Sequence, residues 1–136
     1  MFVLIMNAVS SSEVALTTRE ICCALNNKPK DYCLNIDGNG GRCIWWYRRP
    51  RHESQRIRLV KPTCRIRPLE LYPYLRLLVE KGLLKRWEGY LPDRLSKWGY
   101  DRHVLYYVSE DQLEKRLAKE LGYLVLWDGR RSTALT

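Results

Sequence analysis

The residues best equipped for chemistry in this chain are five cysteines, Cys22, Cys23, Cys33, Cys43 and Cys64, and two histidines, His52 and His103. Thiolate and imidazole are zinc ligands, and Cys33, Cys43, His52 and Cys64 are the right types for a four-coordinate site. Their spacing argues against one. Structural zinc sites are normally built on knuckle pairs such as Cys-x-x-Cys, and the sequence has none. No metal is expected. Cys33 and Cys43 flank a turn-rich stretch and could join across a hairpin as a disulfide. Cys22 and Cys23 fall in a helical pattern, where at least one is expected to be buried as a small hydrophobe. Asn35-x-Asp37-x-Asn39-Gly40 matches half of a calcium loop, but Trp46 stands at the twelfth position, where a bidentate Glu belongs. A tight turn is the better reading. Neither histidine sits in a metalloprotease, Cys-His or Ser-His-Asp pattern, and there is no phosphate loop. No catalytic residue and no cofactor is expected, which points to a binding protein and not an enzyme.

Charge is the stronger signal. The 136 residues include 24 bases and 15 acids, a net +9. Nine bases fall between residues 42 and 67: Arg42, Arg48, Arg49, Arg51, Arg56, Arg58, Lys61, Arg65 and Arg67, with Glu53 the one acid among them. That stretch therefore holds +8 of the +9. Charge this concentrated repels itself and implies a polyanionic partner. Eight of the nine are arginine, whose planar guanidinium forks onto phosphate and stacks on flat rings. Five Trp and nine Tyr against one Phe suit surfaces that are partly wet. The apolar run Met1–Met6 is too short for a secretory h-region or a membrane span. A soluble cytoplasmic protein is expected, without a secreted disulfide framework. The Arg- and Tyr-rich, Gln-poor composition would suit a hyperthermophile source, where intracellular disulfides do occur.

The elements that must carry these residues read as α+β. Phe2–Val9 is a short apolar helix, broken by Ser10, Ser11 and Ser12. Thr17 and Glu20 form a capping box for a second helix that carries Ile21 and Leu25 at i, i+4. Residues 27–67 read as a basic β insertion, a small antiparallel sheet. Its strands are 32–36, 43–47 and 56–59, with the turn signal Asp37–Gly41 and a polar loop 49–55 between them; Arg65-Ile66-Arg67 repeats the basic–apolar alternation of Arg56–Leu59. Pro68 starts the clearest helix, with Leu71, Leu75, Leu78 and Val79 as its stripe, Pro73 inside it, Gly82 as its C-cap and Leu83 as the packing residue that follows. Its outward positions are Glu70, Pro73, Arg76, Leu77, Glu80 and Lys81. Leu84–Trp87 and His103–Val108 read as paired strands around a flexible loop 89–102. Ser109 and Gln112 cap a last helix striped by Leu113, Leu117 and Leu121. The run 122–127 is apolar enough to pack back, and 128–136 is expected to be loose. One domain spans 1–127.

The order helix, helix, helix, strand, loop, strand, helix resembles the winged helix-turn-helix superfamily. Leu16–Leu25 is similar to its second helix. Tyr74-Leu75-x-x-Leu78-x-x-x-Gly82-Leu83-Leu84 is similar to its recognition helix and exit, and Val104–Glu110 to the strand that leaves the wing. Pro68-Leu69-Glu70-Leu71-Tyr72-Pro73-Tyr74-Leu75 is similar to the PadR-type recognition helix, with its Tyr-Pro step after an initial proline. In place of the few-residue turn between the second and third helices stands the insertion 27–67. The resemblance implies a duplex-DNA-binding regulator or architectural protein, with the third helix in the major groove and the wing on the backbone. The contacting set is then the nine insertion bases, Tyr74 and Arg76 of the third helix, and Arg94, Lys97 and Arg102 of the wing. A homodimer and a nucleoid location fit that reading. Two other classes stay open. Basic strands with Trp45, Trp46 and Tyr47 could stack RNA bases, and the aromatics could anchor a protein partner.

Overall fold

The structure, a computed structural model, describes residues 1–46, 58–92 and 100–121. Among these are α1 (Phe2–Ser10), α2 (Thr18–Leu25), a 3₁₀ turn (Tyr32–Leu34), β1 (Arg42–Cys43), β2 (Leu59–Val60), α3 (Pro68–Glu80), β3 (Lys85–Pro92), β4 (Tyr100–Tyr107) and α4 (Glu110–Leu121). The chain is α+β, with four helices and an antiparallel hairpin of β3 and β4.

Local signals set the helix ends. Thr17 Oγ1 accepts the Glu20 N–H at 3.2 Å, and the Glu20 carboxylate accepts the Thr17 N–H at 2.9 Å, so the capping box that opens α2 is complete. Pro68 pre-sets the first turn of α3, and the Glu70 carboxylate closes it by accepting the Arg67 N–H at 2.7 Å. The helix continues through Pro73. It ends where Gly82 takes φ 75. There the N–H groups of Gly82 and Leu83 reach back to the carbonyls of Val79 and Leu78 at 3.0 and 2.9 Å, the double bond of a Schellman motif. The residue that then packs inward is Leu84, at 2% exposure, and not Leu83, at 55%.

The core has two layers on either side of the hairpin. Tyr106, with Val104 and Val108, faces a cluster built from α1, α2 and α3 around Ile5, Ile21, Leu71 and Leu75. Leu105 and Tyr107 face the other way, against Leu91 and the Leu113 and Leu117 stripe of α4. That is the period-two alternation of a strand covered on both faces. Leu16, just before α2, joins the inner strand by exchanging backbone bonds with Tyr106 at 2.9 and 2.7 Å. Gln112 ties three segments: its side-chain oxygen accepts the Val108 N–H at 2.8 Å, and its amide nitrogen donates to Val9 and Ser12 carbonyls at 2.8 and 2.7 Å.

The insertion departs from the expected antiparallel sheet. Tyr32–Leu34 is a 3₁₀ turn, and the strand from residue 42 is two residues long before Ile44–Trp46 turn away. β1 pairs with β2 in parallel, Arg42 opposite Leu59 and Cys43 opposite Val60. The physical reason is chain length: the connection from 44 to 58 is long enough to bring the chain round and lay it down in the same direction, which a hairpin turn cannot do. Arg65-Ile66-Arg67 is not a strand. Its backbone is held instead by Asn26, whose side-chain oxygen accepts the Arg65 and Ile66 N–H groups at 3.0 and 2.8 Å. Of the expected loop 89–102, residues 89–92 and 100–102 are strand, since β3 and β4 run on to Pro92 and Tyr100, and 93–99 lie outside the described residues. The polar loop 49–55, the apolar run 122–127 and the tail 128–136 lie outside the described residues.

Candidate nucleic-acid interface

α3 buries Leu71, Leu75 and Leu78 and leaves its other faces outside. All six positions read as outward from the sequence, Glu70, Pro73, Arg76, Leu77, Glu80 and Lys81, are exposed, and so are Leu69 and Tyr72. Tyr72 and Arg76 are four residues apart and share a face. That face looks onto the hairpin across an open cleft of about 270 Å³, lined by Tyr72, Arg76, Val79, Glu80, Arg86 and Tyr106, with Leu75 at its floor. Burial pushes the Tyr72 hydroxyl above its ordinary range, so it stays a neutral donor at the cleft wall.

Beyond the cleft the same hairpin face carries Arg86, Glu88 and Tyr90 at alternate positions of β3, with Tyr90 opposite Arg102. Glu88 lies between two arginines: Arg86 Nη1 approaches one of its oxygens at 3.0 Å, and Arg102 contacts the other. Arg102 stays largely in water and Arg86 about two-fifths so, at 41%. Pairs this exposed are weak, so an incoming phosphate can take over either guanidinium. Arg102, read from the sequence as a base of the loop 89–102, stands in β4 opposite Tyr90. Arg94 and Lys97 lie outside the described residues.

The structure sorts the insertion bases. Arg48, Arg49, Arg51 and Arg56, like His52 and Tyr47, lie outside the described residues. Arg58 is committed to Asp37: its Nη1 and Nη2 reach the two carboxylate oxygens at 2.5 and 2.8 Å. The hydrogen bond from Arg58, helped by the Asn39 N–H, holds the Asp37 carboxyl well below the usual range. The half-calcium motif is therefore a turn closed by a guanidinium, in which the Asn35 side chain also accepts the Gly40 N–H at 2.8 Å. Arg42 caps the 3₁₀ turn by donating to the Leu34 carbonyl at 2.6 Å. Lys61, Arg65 and Arg67 are exposed on the approach to α3, and the Arg67 guanidinium sits 5.6 Å from the centre of the Trp45 ring, within cation–π range.

Tyr74 departs from expectation. It points away from the cleft and meets Phe2 edge-on, ring centres 4.8 Å apart. The reason is angular: Tyr74 is two residues from Tyr72, and two steps of a 3.6-residue helix turn it to nearly the opposite side. Glu70 is likewise taken up in capping α3. Trp45 and Trp46 are half-buried against Cys23, Cys33 and Cys43. Sequence reasoning missed Tyr72, Arg86 and Tyr90. The signal was present in the alternation Arg86, Glu88, Tyr90, but Gly89 and Pro92 read as loop.

All five cysteines are free thiols. Cys33 and Cys43, which the sequence allows to join across a hairpin, instead share a buried cluster with Cys23 as free thiols. Among the described residues no group of three or more His, Cys, Asp or Glu side chains is arranged to hold a metal, and no helix is long and apolar enough to cross a membrane. No family model, curated protein or solved structure matches the chain.

Proposed function

We propose that this chain is a winged helix-turn-helix protein that binds duplex DNA as a regulator or architectural factor, and that it is not an enzyme. The observation that carries the reading is the face shared by α3 and the β3–β4 hairpin, an open cleft with Arg76 on one rim and Arg86 on the other. The element order α1, α2, α3, β3, β4, α4 supports the same class. α3, with 13 residues, is about 20 Å long, enough to lie in a major groove. Arg86 and Arg102 then meet the backbone beside it, and Lys61, Arg65 and Arg67 meet it where the insertion runs into α3. These contacts position the protein and add salt-sensitive affinity; they do not by themselves read sequence. Arg76 is the side chain of α3 in the cleft able to fork onto a guanine edge.

Tyr90, 72% exposed beside Arg102, favours a second reading, in which an aromatic-basic strand stacks single-stranded RNA. The test is an anisotropy titration of the full chain against duplex DNA, single-stranded DNA and an RNA hairpin at one fixed salt concentration. Tightest binding to the duplex is expected. Tighter binding to RNA would shift the assignment to a ribonucleoprotein component, and no binding to any of the three would overturn both readings.

A further inference from the structure

α2 carries Arg19 and Cys23 one turn apart, at i and i+4, so both side chains leave the helix on one face. That face packs on the 3₁₀ turn, where Cys33 is the buried residue. Arg19 Nη1 donates to Cys33 Sγ at 2.7 Å, and Cys23 packs with Cys33 in the same buried cluster. Cys33 thus has a second thiol in contact and a guanidinium on its sulfur. We propose that Cys33 is a peroxide-oxidisable thiol whose resolving partner is Cys23, and that the disulfide they form ties the root of the insertion to α2.

The surroundings divide the roles. The neighbouring Cys23 thiol, and after it the charge of Arg19, hold the Cys33 thiol below its ordinary range against the opposing effect of burial. The thiolate is the nucleophilic form, so Cys33 reacts first. The neighbouring Cys33 and burial push Cys23 up, so it stays a thiol that can give its proton away. Burial also raises Cys43 and pushes Cys22 up to about 12, which leaves both as poor nucleophiles. In the first step the Cys33 thiolate attacks one peroxide oxygen. An S–O bond forms, the O–O bond breaks, and a proton taken from solvent lets the other oxygen leave as water. In the second step the Cys23 sulfur attacks the Cys33 sulfenic acid. An S–S bond forms, the S–O bond breaks, and the hydroxyl leaves as water with the Cys23 proton. Two thiols are oxidised to one disulfide, and one peroxide is reduced to two waters. Arg19 is a positioning residue here: it stabilises the thiolate without entering either bond change.

This inference stands on side-chain geometry and not on the nucleic-acid reading. To test it, the full chain is reduced, exposed to hydrogen peroxide, and followed by intact mass and peptide mapping. The expected result is a loss of about 2 Da, one cross-link joining Cys23 to Cys33, and a melting midpoint raised by about 5 to 10 °C, all reversed by dithiothreitol. The double variant Cys43→Ser, Cys64→Ser should keep the cross-link. Arg19→Gln should slow its formation several-fold, and Arg19→Lys should restore part of the rate. An unchanged mass would overturn the proposal. So would a gain of two or three oxygens without a cross-link, a bond from Cys33 to Cys43, or one tightly held zinc per chain in the reduced protein. The wild-type cross-link map decides the matter even if a cysteine variant fails to fold.

Discussion

Arg116 and Glu20 are both charged and both nearly shut off from water, at 5% and 4% exposure. They survive there because each satisfies the other and the backbone around it. Arg116 Nη1 reaches Glu20 at 2.5 Å and the Ala15 carbonyl at 2.9 Å, its Nε lies 2.8 Å from Glu120 as an ion-pair contact without a hydrogen bond, and Glu20 also closes the cap of α2. The pair joins α4 to the start of α2, two elements 96 residues apart in the chain. Removing one partner leaves an uncompensated buried charge. Arg116→Met should therefore cost about 3 to 5 kcal/mol in denaturant unfolding, and adding Glu20→Gln should recover part of that loss. Burial acts to raise the Glu20 carboxyl, but Arg116 and the Thr17 N–H outweigh it and hold the pKa below 4.5. A lowered native-state pKa means stability that is fully present above the unfolded value and lost as pH falls through the native one. Unfolding free energy should accordingly drop below about pH 4.5 and should drop less steeply in Glu20→Gln; equal slopes in the two proteins would show that Glu20 titrates normally. Gln112 does at an amide what Arg116 does at a charge. Gln112→Ala strands the Val9 and Ser12 carbonyls and the Val108 N–H, and should cost about 2 to 4 kcal/mol at about 1 kcal/mol for each bond lost.

At the scale of elements, what the sequence made legible were the pieces with a local cause. The capping boxes at Thr17 and Ser109, the leucine stripe of α3 and the glycine stop at Gly82 each act within four or five residues, and each stands where its residues place it. The pairing of 84–87 with 104–108 was legible too, because 104–108 is rich in β-branched and aromatic residues and 84–87 follows directly on the glycine stop of α3; the observed register sets Trp87 opposite Leu105. The insertion was not legible. Its alternating pattern looks like strand, yet the Arg65 and Ile66 N–H groups are taken by the Asn26 side chain and the Leu34 carbonyl by the Arg42 guanidinium; the Asn26 bonds span 39 and 40 residues, which no local pattern encodes. The long arms of the hairpin were missed for a different reason. Gly89 reads as a loop residue, but in β3 it makes room for a neighbour: a Cβ there would lie 2.4 Å from the Trp87 ring. Trp87 folds over Gly89 and packs on the α4 side of the sheet, as an aromatic covers a strand glycine. Gly89→Ala should displace that indole and cost about 1 to 3 kcal/mol, with a shift in tryptophan emission. A variant that melts at the wild-type temperature with unchanged emission would show that the ring has room to move.

Over the whole molecule, sequence reasoning found the charge but not its division of labour. Concentration of +8 in residues 42–67 pointed to a polyanion partner, and that reading counted every arginine there as a contact. Side-chain geometry separates them: Arg58 closes the Asp37 turn and Arg42 caps the 3₁₀ turn, while Lys61, Arg65 and Arg67 remain exposed. Meanwhile Arg86, which lies outside the charged stretch and drew no notice in the sequence, stands across the cleft from Arg76. No window of sequence puts those two together, because the helix stop at Gly82 and the hairpin register do so in three dimensions. The proposed interface makes this difference measurable. Each phosphate contact on duplex DNA releases counterions and contributes about 0.9 to the slope of log affinity against log salt. Arg86→Ala and Arg102→Ala together should flatten the slope by about 2 if both guanidiniums leave Glu88 for phosphate. Arg58→Ala should leave the slope unchanged while lowering the melting midpoint, since Asp37 already occupies both arms of that guanidinium. Arg76→Ala should shift preference among duplex sequences more than it shifts the slope, as expected of a side chain aimed at base edges. A slope that falls with Arg58→Ala and holds with Arg86→Ala, Arg102→Ala would move the contact surface off the cleft and onto the insertion.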